Sequence, residues 1–370
     1  MLKKIIISGG GTGGHIFPAL AIANEIRLRY PQADILFVGA IGKMEMERVP
    51  AAGYKIVGLP IVGLQRKFTL SNFALPFKLL KSLAKAKKIL KDFQPEVVIG
   101  VGGYASGPTL KMATRLGIPT VVQEQNSYPG KTNRLLSKSV SAICTAYEGL
   151  ESVFPAAKIK LTGNPVRQEL KELNLSREEA FACFPALNPA KKTVLVMGGS
   201  LGARTLNESV LFVADQLEQE NVQVLWQCGK YYFEAMKTEV EGKKNILLTD
   251  FIARMDAAYT LADVIVSRAG ALSISELCLV GKPTILVPSP NVSEDHQTKN
   301  AMALVKNHAA ILVKDAIAKE EGLKTAFAVL KDKNQSQLLG SAIKAMAKPN
   351  ASADIVDVIE GLVASRFIAM

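Results

Sequence analysis

The stretch Ser8-Gly9-Gly10-Gly11-Thr12-Gly13-Gly14-His15-Ile16-Phe17-Pro18 sets five glycines in six positions between an apolar run, Ile5-Ile6-Ile7, and a helix-forming segment. Without Cβ atoms such a run can adopt positive φ and turn bare N–H groups toward an anion. Pro18 is expected in an early helical turn, where its missing N–H is harmless and helps to fix the helix start. The positive end of that helix adds roughly half a charge to the loop donors. The stretch is therefore expected to seat a negatively charged group, with His15 beside it.

Strand, glycine turn and helix recur along the chain. Lys4 to Ser8, Asp34 to Val38, Glu96 to Ile99 and Pro119 to Gln123 are β-branched runs expected as buried parallel strands, with helical stretches between them. Gly100-Val101-Gly102-Gly103-Tyr104-Ala105-Ser106-Gly107-Pro108 and Gln123-Glu124-Gln125-Asn126-Ser127-Tyr128-Pro129-Gly130 fall at carboxyl ends of strands, the edge where open α/β sheets bind ligands. After Gly163-Asn164-Pro165-Val166-Arg167 the design restarts. Thr193 to Met197 enters Gly198-Gly199-Ser200-Leu201-Gly202-Ala203, and Asp263 to Ser267 enters Arg268-Ala269-Gly270-Ala271-Leu272-Ser273-Ile274-Ser275-Glu276.

A chain of 370 residues exceeds the roughly 250 to 300 that one core serves, so two domains are expected. They are residues 1–165, joined by an amphipathic terminal helix over 351–370, and residues 166–350. The predicted architecture is α/β, with two facing Rossmann-like, doubly wound parallel sheets and a cleft between them.

The four cysteines have no paired spacing, so neither zinc site nor disulfide framework is indicated, and a reducing cytoplasm is the expected compartment. The start Met1-Leu2-Lys3-Lys4 resembles a signal n-region, but its apolar run is too short for an h-region. No stretch approaches the roughly 20 apolar residues of a membrane span. A net charge of +12 calls for an anionic partner. Arg66, Lys67, Lys78, Lys81, Lys85, Lys87, Lys88 and Lys91 occur between Gln65 and Lys91 without one acid, interleaved with Phe68, Phe73 and Phe77. Helical spacing sets Lys78, Lys81, Lys85 and Lys88 on one face and Leu79, Leu83, Ala86 and Leu90 on the other. One reading is a solvated lysine face behind a core-facing one. The other adds an aromatic loop dipping into an anionic membrane under those lysines.

Each chemical motif has rivals. Gly9, Gly11 and Gly14 satisfy G-x-G-x-x-G, but the acid a dinucleotide ribose needs is missing, since Val38-Gly39-Ala40 stands where it belongs. Gly198, Ser200 and Gly202 match a hydrolase elbow, with Asp263 or Asp295 and His296 or His308 in triad order. Phosphate or sugar binding through the same loop is more economical. Ser273 to Glu276 fits a capping box, or a carboxylate placed to accept ribose hydroxyls. With three histidines and no Asp-x-Asp loop, no protein-built metal site is expected, and no tightly bound cofactor. A neutral imidazole at His15 could take a proton from an attacking hydroxyl.

Six blocks together resemble the MurG family of bacterial transferases, which add N-acetylglucosamine to the lipid-linked muramyl-pentapeptide of peptidoglycan synthesis. They are Gly10-Gly11-Thr12-Gly13-Gly14-His15, Gly102-Gly103-Tyr104-x-Ser106-Gly107-Pro108, Glu124-Gln125-Asn126, Gly163-Asn164-Pro165-Val166-Arg167, Gly198-Gly199-Ser200-x-Gly202-Ala203 and Ser267-Arg268-x-Gly270-Ala271-Leu272-x-x-Ser275-Glu276. The resemblance implies a GT-B fold and an inverting transfer from UDP-N-acetylglucosamine to an undecaprenyl-pyrophosphoryl acceptor (lipid I, giving lipid II). It implies donor contacts at Thr12, Gly13, Gly14, Asn126, Arg167, Ser200, Ile252 through its backbone, Ala271, Leu272, Ser273, Ile274, Ser275, Glu276 on ribose, and Gln297. His15 is the first candidate base, Glu124 the second, and Tyr104 an acceptor-positioning residue. Gln123 stands where relatives often carry histidine, so that place is expected to be structural or acceptor-related. A peripheral position on the cytoplasmic face of the inner membrane follows, held by Phe68, Phe73, Phe77, Lys78, Lys81 and Lys85, with no nucleic-acid partner. The alternatives are a UDP-sugar epimerase of similar fold, a serine hydrolase using Ser200, or a noncatalytic sugar-nucleotide binder.

Overall fold

A computed structural model describes residues 2–61, 75–166, 170, 173–199 and 201–368. The chain divides into two compact units, Met1–Val166 with Asn350–Met370, and Arg167–Pro349.

The first unit holds seven parallel strands, β1 (Lys4–Ser8), β2 (Asp34–Ala40), β3 (Lys55–Leu59), β4 (Val97–Gly100), β5 (Thr120–Glu124), β6 (Ala142–Thr145) and β7 (Ile159–Leu161). Between them run α1 (Gly13–Arg29), α2 (Glu45–Ala51), α3 (Leu75–Phe93), α4 (Ser106–Arg115) and α5 (Lys131–Leu136). The strand order is β3-β2-β1-β4-β5-β6-β7, so the winding reverses between β1 and β4. Ser8 pairs with Gly100 and Gly100 with Val122, which brings the ends of β1, β4 and β5 level. The glycine loops that follow them thus emerge side by side at the switch point of the sheet. Burial on both faces explains the apolar runs. Ile5 and Ile7 face α1, while Ile6 faces α3 and α4 on the other side. Each such buried isoleucine contributes about 1.5–3 kcal/mol.

The second unit begins with α6 (Arg177–Ala182), started by a capping box between Ser176 and Glu179. Its sheet comprises β8 (Lys192–Met197), β9 (Val222–Gln227), β10 (Ile246–Thr249), β11 (Val264–Ser267), β12 (Thr284–Leu286) and β13 (Ile311–Leu312), in the order β10-β9-β8-β11-β12-β13. Here the reversal lies between β8 and β11. The helices are α7 (Arg204–Val213), α8 (Phe233–Glu239), α9 (Met255–Leu261), α10 (Ala271–Val280), α11 (His296–Val305), α12 (Ala318–Lys331) and α13 (Lys333–Ala345). The core centres on Trp226, fully buried among Val194, Val196, Leu206 and Val210. The last helix, α14 (Ala351–Ile368), returns to the first unit and lays Ile355, Val356 and Ile359 against Ile22, Ala23 and Ile26 of α1. Arg29 fastens it through Asp357 and Glu360.

Two local expectations change. Pro18 is the sixth residue of α1, so its missing N–H falls inside the helix and withholds the donor that the Gly14 carbonyl would otherwise receive. On α3 the inward residues are Ser82, Ala86 and Leu90, whereas Leu79 is 45% exposed and not on the core face. Phe77 and Leu80 are still more exposed, which leaves an apolar patch at the start of a lysine-rich helix. Phe68 and Phe73 lie outside the described residues.

Candidate active site

The opening loop leaves β1 with positive φ at Gly10 and Gly11 and enters α1 at Thr12, whose side chain makes no capping bond. Space dictates the glycines as much as torsion does. A Cβ on Gly10 would lie 2.2 Å from the carboxyl carbon of Glu45, and one on Gly103 would lie 2.3 Å from the Gly10 carbonyl oxygen. Glu45, at the start of α2 and 1% exposed, accepts the Gly11 N–H at 2.7 Å and the Ala40 N–H at 2.9 Å. The anion expected at the Gly11 N–H is therefore a carboxylate of the chain itself.

His15 Nδ1 lies 3.0 Å from the Gly10 carbonyl oxygen and 3.3 Å from Thr12 Oγ1. A carbonyl can only accept, so Nδ1 carries the proton of the neutral ring and Nε2 holds the basic lone pair. The Nε2 edge lies over Gly102, where a Cβ would come within 2.9 Å of it. Thr12 and Gly14 are exposed and Gly13 half-buried, at the same loop. Tyr104, 49% exposed, extends from the adjoining loop after β4.

Glu124 ends β5 fully enclosed. Its Oε1 accepts from the Asn126 N–H at 3.0 Å and the Asn126 amide at 3.2 Å, while Oε2 accepts from the Gly130 N–H at 3.0 Å and the Asn133 amide at 2.8 Å. Both oxygens are thus spent on shaping the loop that carries Asn126, which argues against the base role expected for Glu124. Gln123 is buried as well and donates to Asn164 Oδ1 at 2.9 Å, and Asn164 donates to the Gln125 carbonyl at 3.0 Å. Gln125 completes the cluster on the Val101 carbonyl at 2.8 Å. This closed amide network joins β4, β5 and the segment after β7.

In the second unit the loops after β8 and β9 meet backbone to backbone. A Cβ on Gly202 would stand 2.0 Å from the Cys228 carbonyl oxygen, and one on Gly229 would stand 2.2 Å from the Gly202 nitrogen. Ser200 and Arg167 lie outside the described residues. Gln227 ties this loop to the next, donating to the Gly199 carbonyl at 3.1 Å and accepting the Ile252 N–H at 2.9 Å. The Ile252 N–H is hence engaged by the Gln227 side chain.

Helix α10 starts on Gly270 with no side-chain cap, so the capping box expected over Ser273 to Glu276 does not form. Glycine already serves as N-cap, and Glu276 falls in the second helical turn. Ala271, Leu272, Ser273 and Ser275 are half-buried, Ser275 donating to the Ala271 carbonyl at 3.0 Å. Ile274 is buried in the core, so its side chain is not a ligand contact. Glu276 Oε2 accepts from the Tyr259 hydroxyl at 3.1 Å, an anchor from α9 that orients the carboxylate. Gln297 lies in the first turn of α11, and its Oε1 accepts the Ser289 N–H at 2.9 Å, which fixes the amide nitrogen as the donor end of the side chain. Helices α7 and α10 carry neither capping side chain nor acid in their first turns. Their positive ends favour an anion at the loops they follow, whereas the loop before α1 already holds the Glu45 carboxylate.

The hydrolase alternative loses a member. Asp263 precedes β11, at the opposite sheet edge from the loop after β8, and accepts the Thr193 N–H at 2.8 Å. Burial pushes the thiols of Cys144 and Cys278 up to about 12 and that of Cys228 up to about 11, so none is a thiolate nucleophile at neutral pH. Among the described residues, no three His, Cys, Asp or Glu side chains are grouped to hold a metal ion.

The chain matches the glycosyltransferase family 28 N-terminal domain over residues 5–145 and the family's C-terminal domain over residues 193–359. The chain belongs to glycosyltransferase family 28. Within that family it is 55% identical, over 98% of both chains, to the Flavobacterium psychrophilum UDP-N-acetylglucosamine–N-acetylmuramyl-(pentapeptide) pyrophosphoryl-undecaprenol N-acetylglucosamine transferase. The crystal structure of Acinetobacter baumannii MurG superposes with a TM-score of 0.78 at 30% identity, covering 97% of this chain and 99% of that one. This fixes the fold as GT-B, two Rossmann-like domains. A Neisseria meningitidis UDP-GlcNAc 2-epimerase shares the fold alone, at 15% identity and a TM-score of 0.69 over 97% of this chain and all of the other. The six sequence blocks point to the loops and His15, but not to Glu45, Gln227 or Tyr259. Glu45 and Gln227 reach loops, and Tyr259 reaches a side chain of α10, from other parts of the sequence, and no local spacing marks them.

Proposed function

We propose that the chain transfers N-acetylglucosamine from UDP-N-acetylglucosamine to the muramyl 4-hydroxyl of undecaprenyl-pyrophosphoryl-N-acetylmuramyl-pentapeptide, with inversion, releasing UDP. The observation that carries this is full-length identity above one half with a relative named for that reaction. The geometry of His15 supports it. Nε2 accepts the proton of the 4-hydroxyl as its oxygen bonds to the anomeric carbon and the bond to UDP breaks. Charge developing on UDP is met by the positive ends of α7 and α10, with Ser200 and Arg167, and no protein-built metal site is assigned to this step. Glu276 and Gln297 read ribose and sugar. The test follows radiolabelled donor with and without the lipid acceptor. Label reaching lipid only in the complete mixture is expected, whereas donor conversion without acceptor marks an epimerase and binding without turnover a noncatalytic binder.

The acceptor's lipid requires a membrane surface, and no described helix is long and apolar enough to cross one. The reading assigns peripheral binding, at the cytoplasmic face. It is supported by Phe77 and Leu80, 70% and 63% exposed, beside Lys78, Lys81, Lys85, Lys87 and Lys88 on α3. At about 1 kcal/mol per basic residue near an anionic surface, several lysines hold a protein there reversibly. Replacing Phe77 and Leu80 by serine is expected to release the chain from anionic vesicles in sedimentation while UDP affinity stays unchanged. Equal sedimentation of variant and parent rejects the patch.

A further inference from the structure

We propose that Glu45 is a positioning residue: its buried carboxylate holds the opening glycine loop in the shape that presents His15 as a base. The case starts from the cost of burial. A carboxylate at 1% exposure is retained only where donors compensate it, and among the described residues its partners are the N–H groups of Gly11 and Ala40. These belong to two different loops, after β1 and after β2, so one side chain fixes the distance between them. Gly10 lies flat against the carboxyl group, with no room for a Cβ on that side, and against the backbone of Gly103 on the other. The Gly10 carbonyl, clamped between them, is the acceptor that holds the proton on His15 Nδ1. Glu45 thereby acts on His15 through Gly10 without touching the reacting atoms. Its charge also fills the Gly11 N–H, which is therefore not available to a ligand anion.

The part concerning turnover rests on His15 being the base; the part concerning the imidazole does not. In Glu45→Gln the shape is kept, but one acceptor oxygen becomes an NH2 facing a backbone N–H. The chain has three histidines, so 15N–1H correlation spectra of histidine-labelled protein resolve each ring. The parent is expected to show His15 protonated on Nδ1, and Glu45→Gln a mixture of tautomers. In turnover the variant is expected to lose about tenfold or more in kcat with the donor KM within about twofold, and Glu45→Asp, which keeps the charge, to recover part of the loss. Should Glu45→Gln not fold, the aspartate variant carries the same two readouts at smaller amplitude. An unchanged His15 tautomer with parental kcat overturns the proposal, as does a rise in donor KM at constant kcat. A parent that transfers no sugar overturns the proposed function instead, and the tautomer comparison still decides Glu45.

Discussion

Replacing His15 by alanine is expected to lower sugar transfer by about 10²–10⁴ while leaving UDP affinity within about twofold. The size follows from the role: a positioned base is worth that much in a transition state where a hydroxyl proton is leaving. The asymmetry follows from placement, because His15 belongs to the first unit, whereas Gln227, Ile252, Tyr259 and Glu276 belong to the second. A His15→Asn variant separates scaffold from chemistry. Its amide can still donate to the Gly10 carbonyl, as Nδ1 does at 3.0 Å, but it has no basic nitrogen. Both variants should therefore fail alike in single-turnover transfer. Parental turnover in either removes His15 as base, and joint loss of UDP affinity moves it to the donor.

What the sequence discloses about this fold is what backbone sterics write into it. Gly10, Gly103, Gly202 and Gly229 are glycines because another backbone or a carboxylate occupies the space a Cβ needs, and such positions announce loops at a sheet edge. The buried runs Ile5 to Ile7 and Val194 to Val196 announce the parallel strands beside them. Local patterns mislead where a tertiary partner arrives first. Ser273 to Glu276 spells a cap, yet Gly270 already starts the helix, so the same glutamate turns to Tyr259. Glu124 has the residue type and the place of a base, but three donors from the loop it closes and the Asn133 amide of α5 consume it. Glu45 is the opposite case. Between Met44 and Met46, with Glu47 two positions on, nothing in the sequence distinguishes it from an ordinary surface acid. Only the fold shows that it lies under a loop more than thirty residues away, at a spacing of 34 from Gly11.

The second large effect concerns stability. Gly202→Ala is expected to destabilise the second unit by about 2–6 kcal/mol, the sum of about 1–3 for a non-glycine residue at left-handed φ and about 1–3 for overpacking. Gly202 has φ +79°, and the added methyl would meet the Cys228 carbonyl oxygen at 2.0 Å and the Tyr232 ring at 2.9 Å. Neither neighbour yields easily. The Cys228 carbonyl also accepts from Asn207 Nδ2 at 3.1 Å, and Asn207 Oδ1 in turn accepts the indole N–H of buried Trp226 at 3.0 Å. Moving that carbonyl strains a buried chain of hydrogen bonds ending in the core. Trp226 is the sole tryptophan, so its fluorescence during urea unfolding reports the second unit alone. With m-values of about 1–3 kcal/mol/M, the midpoint should fall by about 1 M or more. UDP affinity should fall with it, since the loop after β8 and Gln227, which spans it to Ile252, shift together. A midpoint equal to the parent's shows that the two loops separate at little cost, and the backbone contact between Gly202 and Gly229 then plays no part in forming the nucleotide site.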